Sequence, residues 1–593
     1  MTDGPEPFDP YHHLHDEDYA KATARTVGVG DMVAMAGRET VSLDGDWRFV
    51  LDPFEEGLRQ SWTDHEPSDP TTWTVPRDYD GGDWQTMPVP GCWTTERPEW
   101  KHYEGAAWYL RWFDTPQLAP GERLFLRVGA ALQRARVFVN GTFVGGHLGG
   151  STPFFVEVGP ALREGSNRLQ IMVENRRAAD RVPMHHIDWF HDGGLSREVS
   201  LVRTPAVFFR RTQLSLADGG IRVRLSLSEP VSGDATLTIE ALGIAANIAV
   251  ENGTADITLP ATPERWSPES PALYDVTLTF GDDVLRDRVG FRTIATEGGR
   301  VLLNGTPVFL RGICCHEDDI ALGRTTNEAD IKRRFEHVKA LGANAVRLAH
   351  YPHHERVAEL ADELGIMLIA EVPVYWAIAF DSPTTLADAE NQLAELITRD
   401  ANRASVIAWS VGNENDDTDA RYRFLKALVD LARREDGTRL VTAACLISRK
   451  TFAVEDRIAE ELDLVGVNEY FGWYEPNIDD LDTLLTNTSS PKPIMISETG
   501  ADSVAGFKGA PGILFSEAHQ AHVYERQLEI VRRHPGVQGY FPWILYDFRT
   551  MRRQTAVQQG INKKGLIAAD KTTKKPAFDV VARHYREISA AGD

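Results

Sequence analysis

Two glutamates each close a hydrophobic run in the second half of this chain. Glu414 follows Val406-Ile407-Ala408-Trp409-Ser410-Val411-Gly412-Asn413, and Glu498 follows Pro493-Ile494-Met495-Ile496-Ser497. Buried parallel strands read as near-continuous apolar runs. A carboxylate at the end of one is costly unless it is paired or protonated. Barrel enzymes build their sites at that end of their strands. Two carboxyls there suit the hydrolysis of a glycosidic bond, which needs one group to protonate the leaving oxygen and another to act on the sugar. Further polar residues fall at strand ends: His316, Arg347, His350, Asn468, Tyr470 and Trp543. Each has a plainer reading alone, as a satisfied polar group, a neutralising arginine or a packed ring. Their convergence on one face is what those readings leave unexplained.

The elements that must position these residues begin after Thr296, where apolar strands alternate with amphipathic helices. Eight candidate strands lie at 308–314, 345–350, 367–373, 406–411, 440–445, 464–468, 493–497 and 539–545. Helical stretches such as Glu328–Leu341 and His354–Leu364 lie between most of them. That pattern predicts a C-terminal (β/α)8 TIM barrel over 295–593, with Glu414 ending strand four and Glu498 strand seven. Upstream, short alternating segments predict a jelly-roll-like β-sandwich over 41–204. Asn140-Gly141 marks a hairpin there between Ala135–Val139 and Thr142–Val144. Residues 205–294 suit an immunoglobulin-like β-sandwich. Residues 1–40 read as an N-terminal extension.

The 593 residues suffice for several cores, and a net charge of -24 disfavours nucleic acid or an anionic membrane as partner. The polar, acidic N-terminus lacks a secretory pattern, and no apolar run is long enough to span a bilayer, so a cytoplasmic location is expected. The four cysteines, Cys92, Cys314, Cys315 and Cys445, fit neither a zinc site nor a disulfide scaffold and read as buried thiols. His185, His186 and His191 match no metal-ligand spacing. No cofactor and no metal are expected.

Ser410-Val411-Gly412-Asn413-Glu414 and Ile496-Ser497-Glu498-Thr499-Gly500 resemble the acid/base and nucleophile motifs of glycoside hydrolase family two. The resemblance covers nearly the whole chain. Leu43-Asp44-Gly45-Asp46-Trp47, Pro88-Val89-Pro90-Gly91-Cys92-Trp93 and Val137-Phe138-Val139-Asn140-Gly141 are similar to the family's sugar-binding sandwich. Leu310-Arg311-Gly312, His316-Glu317-Asp318, Arg347 and His350-Tyr351-Pro352 are similar to its first two barrel strands. The resemblance implies a retaining enzyme with Glu414 as acid/base and Glu498 as nucleophile. Asn413 would meet the sugar 2-hydroxyl, and Tyr470 and Arg347 would support Glu498 by hydrogen bonding and charge. A retaining pair is expected about 5–5.5 Å apart.

The sugar is addressed by the chain after the last strand. From Arg549 to Lys564 there are basic residues and no acidic one. Asn562-Lys563-Lys564 resembles the uronate-recognition motif of the family's β-glucuronidases. Lys564 would pair with a C6 carboxylate and Asn562 would donate to it. The segment Asn468 to Tyr474 resembles their strand-six segment, with Tyr474 at a uronate-contacting position, and Asp192 in Phe190-His191-Asp192 matches an aspartate that meets sugar hydroxyls. Two positions depart, Gln558 and Glu469, where arginines are expected. The implied activity is exo-β-glucuronidase, with β-galacturonidase or β-galactosidase as alternatives on the same scaffold. A non-catalytic carbohydrate-binding protein is a further alternative, disfavoured by the retention of both glutamates. The substrate would be a small-molecule or oligosaccharide glycoside, and the resemblance implies a homo-oligomer.

Overall fold

A computed structural model describes residues 25–60, 62–63 and 81–590. Most of the expected N-terminal extension, 1–24, lies outside the described residues. The chain divides into two compact units. Of the described residues, the first comprises those within 25–31, 39–176 and 192–206; the second comprises 32–38, 177–191 and 207–590.

The first unit is a sandwich of two principal antiparallel sheets. Its six-stranded sheet runs in the order Gln85–Val89, Gly45–Asp52, Ala106–Asp114, Ser166–Glu174, Arg134–Val139 and Thr142–Leu148. Alternation buries Trp47, Phe49 and Tyr109 in one core with Trp93 and Trp100. Asn140-Gly141 forms the expected hairpin turn, with φ of 50° and 84°, the left-handed pair that matches strand twist.

In the second unit, residues 209–289 form seven strands in sheets of three and four, closed over a core that includes Phe209, Leu237, Val276 and Phe291. This is the immunoglobulin-like sandwich.

The barrel strands are β1, split into Leu310–Arg311 and Cys314–Cys315, then β2 Ala345–Leu348, β3 Met367–Glu371 and β4 Val406–Asn413. They continue as β5 Leu440–Cys445, β6 Leu464–Asn468, β7 Ile494–Thr499 and β8 Val537–Pro542. All pairings are parallel, and the ring closes because the two pieces of β1 pair with β8 and β2 respectively. The eight expected strands are all present. The strand expected at 539–545 ends earlier, at Pro542, and the one expected at 406–411 runs on to Asn413. Helix Glu328–Leu341 starts on Asn327, whose side chain accepts from the Asp330 amide, and stops at Gly342 in the left-handed region.

The segment 177–191 packs on the barrel. The Val182 amide donates to Asp388 at 3.2 Å, and Gln392 donates to the Val182 carbonyl at 2.9 Å. Among the described residues no helix is long and apolar enough to cross a membrane.

Candidate active site

The C-terminal ends of β3, β4 and β7 converge on Arg347 of β2. Its guanidinium donates to Glu371 at 2.8 and 2.9 Å, to Glu498 Oε1 at 2.6 Å and to Asn413 Oδ1 at 2.8 Å. Burial alone would lower its pKa; the charges of Glu371 and Glu498 outweigh that and raise it well above the usual value. Glu371 is likewise fully buried. Burial would raise its pKa, but Arg347 and His350 draw it down to about 2. A buried ion pair of this kind is stable only when its remaining lone pairs are also satisfied. Here His350 Nδ1 lies 2.8 Å from the second Glu371 oxygen, and Ser410 Oγ donates to the first at 2.8 Å.

Glu498 accepts from Arg347 on one oxygen and from the Tyr470 hydroxyl on the other, at 2.7 Å. His350 Nε2 lies 3.6 Å from it. Glu414 sits one residue past β4 with φ 51°, a left-handed conformation that non-glycine residues seldom adopt. Its neighbours fix it there. The Trp376 amide donates to the Asn413 carbonyl at 2.9 Å, the Glu414 amide donates to the Ala444 carbonyl at 3.1 Å, and Asn415 Nδ2 donates to the Trp376 carbonyl at 2.7 Å. Trp376 Nε1 then donates to Glu414 Oε2 at 2.8 Å. Burial, followed by the charge of Glu498, raises the pKa of Glu414; the Trp376 bond works against both. Asn413 Oδ1 accepts from Arg347 and from Asn468 Nδ2, the latter at 3.1 Å, which fixes its Nδ2 as the outward donor, 3.3 Å from Glu414 Oε2. Ser497 Oγ holds Asn468 at 2.7 Å.

Rings wall this cluster. Trp543 stacks on His350 with centroids 4.9 Å apart, and His316 packs edge-on to Trp543 at 5.2 Å. Burial, then His350, lowers the pKa of His316 well below the usual range. Its Nδ1 lies 3.2 Å from the Tyr351 hydroxyl.

Beyond Tyr470 lies the basic segment. Lys564 is buried, with Nζ 2.5 Å from Asp502 and 3.0 Å from the Tyr474 hydroxyl. The same ammonium faces Tyr474, Trp473 and Tyr470 at 4.8, 5.3 and 5.6 Å from their ring centres. Asn562 Oδ1 accepts from the Lys564 amide at 3.1 Å. Gln558 donates to Asp502 at 3.1 Å, so the neutral amide at this position addresses the partner of Lys564. Glu469 does not face this site. Strand alternation turns it behind the barrel, where it accepts from the Phe471 amide at 2.9 Å and from Gln527 at 3.3 Å. Asp192 lies in the first unit, where its carboxylate accepts from Thr94 at 2.5 Å.

The structure thus brings Glu414, Glu498, Asn413, Asn468, Tyr470, His316, Arg347, His350, Trp543, Tyr474, Asn562 and Lys564 together in one unit. Sequence reading missed Glu371, Trp376, Asp502 and Trp189. Glu371 carried the same signal as the two glutamates, an acidic residue closing an apolar strand. Trp189, whose ring lies 5.0 Å from Tyr375 and 5.7 Å from His350, stands next to a segment already singled out. Among the described residues no group of three or more metal-ligating side chains could hold a metal ion.

A closed parallel barrel with paired carboxyls at its C-terminal mouth is the architecture of a glycosidase. The chain belongs to glycosyl hydrolases family 2: the family's sugar-binding domain matches residues 40–205, its middle domain 207–292 and its TIM barrel domain 294–590. It is similar to a β-glucuronidase of Paenibacillus borealis, 30% identical over 91% of this chain and 96% of the relative. A human β-glucuronidase is 29% identical over 93% of this chain and 91% of its own. The solved β-glucuronidase of Ruminococcus gnavus in complex with D-glucuronic acid superposes with a TM-score of 0.82 at 26% identity, covering 94% of this chain and all of that one.

Proposed function

We propose that the protein is an exo-β-glucuronidase that hydrolyses terminal β-D-glucuronides with retention of configuration. Glu498 is the nucleophile: Arg347 and Tyr470 bind both of its oxygens and aim it from the end of β7. Glu414 is the acid/base. Its raised pKa keeps it protonated to higher pH than an ordinary carboxyl, as a proton donor to the leaving oxygen requires. Once the glycosyl-enzyme forms, the same group takes a proton from the attacking water. Asn413, with its Nδ2 fixed outward, donates to the sugar 2-hydroxyl.

The observation that carries the sugar assignment is Lys564. It is a buried cation separated from Glu498 by the single ring of Tyr470, which donates to Glu498 and faces the ammonium. A pyranose with its anomeric carbon at Glu498 would extend C6 toward that ammonium. A carboxylate there would gain a charge-assisted bond from the ammonium's third N–H, beside its contacts with Asp502 and Tyr474, and a neutral hydroxymethyl would gain less. The names of the similar proteins support the same sugar.

The test is p-nitrophenol release from the β-D-glucuronide, β-D-galacturonide and β-D-galactoside by wild type and Lys564→Met. The glucuronide is expected to be the best substrate. Lys564→Met should lower kcat/KM on uronides by at least about 100-fold, the scale of losing a buried charge-assisted bond, and leave any galactoside rate nearly unmoved. Galactoside preference in wild type overturns the sugar assignment.

A further inference from the structure

The basic segment after β8 is mostly neutralised within the protein. Arg549 pairs with Asp318 at 2.7 Å, Arg553 with Asp188 and Lys564 with Asp502, both at 2.5 Å. Arg552 differs. It is exposed, and among the described residues no carboxylate lies within ion-pair distance of its guanidinium. Its guanidinium carbon instead lies 4.3 Å from the ring centre of Trp376. Trp376 is the residue whose indole N–H holds Glu414, and it is kept at φ 53°, a strained conformation for a bulky side chain. Strain of this kind persists only where the surroundings over-determine it, as the bonds to Asn413 and Asn415 do here.

A group that protonates the leaving oxygen must lie beside the leaving group. Trp376 and Arg552 therefore sit on that side of the scissile bond. Two residues past Trp376 the chain enters the lining of an open depression of about 500 Å³, which includes Ile378, Phe380, Asp381, Ser382 and Thr418. We propose that Arg552, with its guanidinium carbon over the Trp376 ring, is a specificity-determining residue for the leaving group. It would favour glycosides whose aglycone ring carries an anion, a carboxylate or a sulfate. A guanidinium attracted to the face of a ring still has N–H groups to offer a planar or tetrahedral anion. This inference rests on the assignment of Glu414 as the acid/base.

The experiment compares para-carboxyphenyl and para-carbamoylphenyl β-D-glucuronides, which share a shape and differ in charge. The readout is the ratio of their kcat/KM values in wild type, Arg552→Gln and Arg552→Lys. The ratio is expected to fall about fivefold in Arg552→Gln, the scale of an exposed ion pair. Arg552→Lys should restore part of it, and added salt should shrink the wild-type ratio. An unchanged ratio, with both substrates losing rate alike, overturns the proposal and leaves Arg552 a packing residue on Trp376. The same two aglycones on galacturonic acid and galactose separate the inference from the sugar assignment, because the ratio is read on whichever sugar is cleaved. Should none be cleaved, the ratio of calorimetric Kd values for the two glucuronides decides it in the same way.

Discussion

At the scale of residues, the two glutamates differ in what surrounds them. Glu498 faces a guanidinium and a phenol; Glu414 faces an indole and the charge of Glu498. Two carboxyls with environments this different suit the separate acid and nucleophile roles proposed for them. Glu498→Gln should cut kcat by at least about 10,000-fold with KM little changed, measured by steady-state release of a nitrophenol, because on the proposed mechanism it would remove the covalent step and not a binding contact. Glu414→Gln should cost less on nitrophenyl than on alkyl glucuronides, since a good leaving group needs little protonation. The Trp376 bond favours the ionised form of Glu414. Trp376→Phe should therefore raise the pKa of Glu414, and the basic limb of the kcat/KM–pH profile should move to higher pH as kcat falls. A limb that moves down would contradict the assigned hydrogen bond.

At the scale of elements, the strand ends work as a rigid frame. Arg347 on β2 connects β3, β4 and β7 through Glu371, Asn413 and Glu498. Glu371→Gln would leave that guanidinium short of one buried counter-charge. A loss of about 3–5 kcal/mol in unfolding free energy is expected by denaturant titration, together with a fall in kcat as Glu498 loses its fixed partner. Behind β6 and β7, Glu469 is held near neutrality: burial raises its pKa from 4.5 to about 7, against the hydrogen bonds from Thr499 and the Phe471 amide. A pKa raised by folding means that the native state binds the proton more tightly than the unfolded chain. Stability from this group is therefore complete below about pH 4.5 and declines as pH rises to about 7. Glu469→Gln should flatten that decline, of about 3 kcal/mol, in denaturation midpoints taken across the window. An unchanged pH dependence would show that Glu469 titrates elsewhere.

At the scale of the whole molecule, periodicity made the architecture legible. Alternating apolar strands with polar turns gave two sandwiches, and apolar strands alternating with amphipathic helices gave the barrel, with helix Glu328–Leu341 placed to the residue. The carboxyl pair was legible because a glutamate at the end of an apolar strand contradicts the strand's own pattern. Glu371 broke the same pattern but was passed over, because the partners that explain it, Arg347 and His350, lie on another strand and are neighbours only across the sheet. Trp376 and Asp502 were hidden for a similar reason. A loop tryptophan and an aspartate beyond a strand acquire meaning only when folding sets them against Glu414 and Lys564. Glu469 stands where the resemblance leads one to expect an arginine, but the fold turns it away from the pocket toward Gln527.

The most direct test of the central claim is covalent labelling with 2-deoxy-2-fluoro-β-D-glucuronyl fluoride, followed by peptide mass spectrometry. The fluorine slows both steps, and the good leaving group lets the first proceed, so the glycosyl-enzyme accumulates. Time-dependent inactivation is expected, with one fluoroglucuronyl group on the peptide that contains Glu498 and none on Glu498→Gln. A label on any other carboxyl, or turnover of the glucuronide that gives inverted product and no label, would contradict the account.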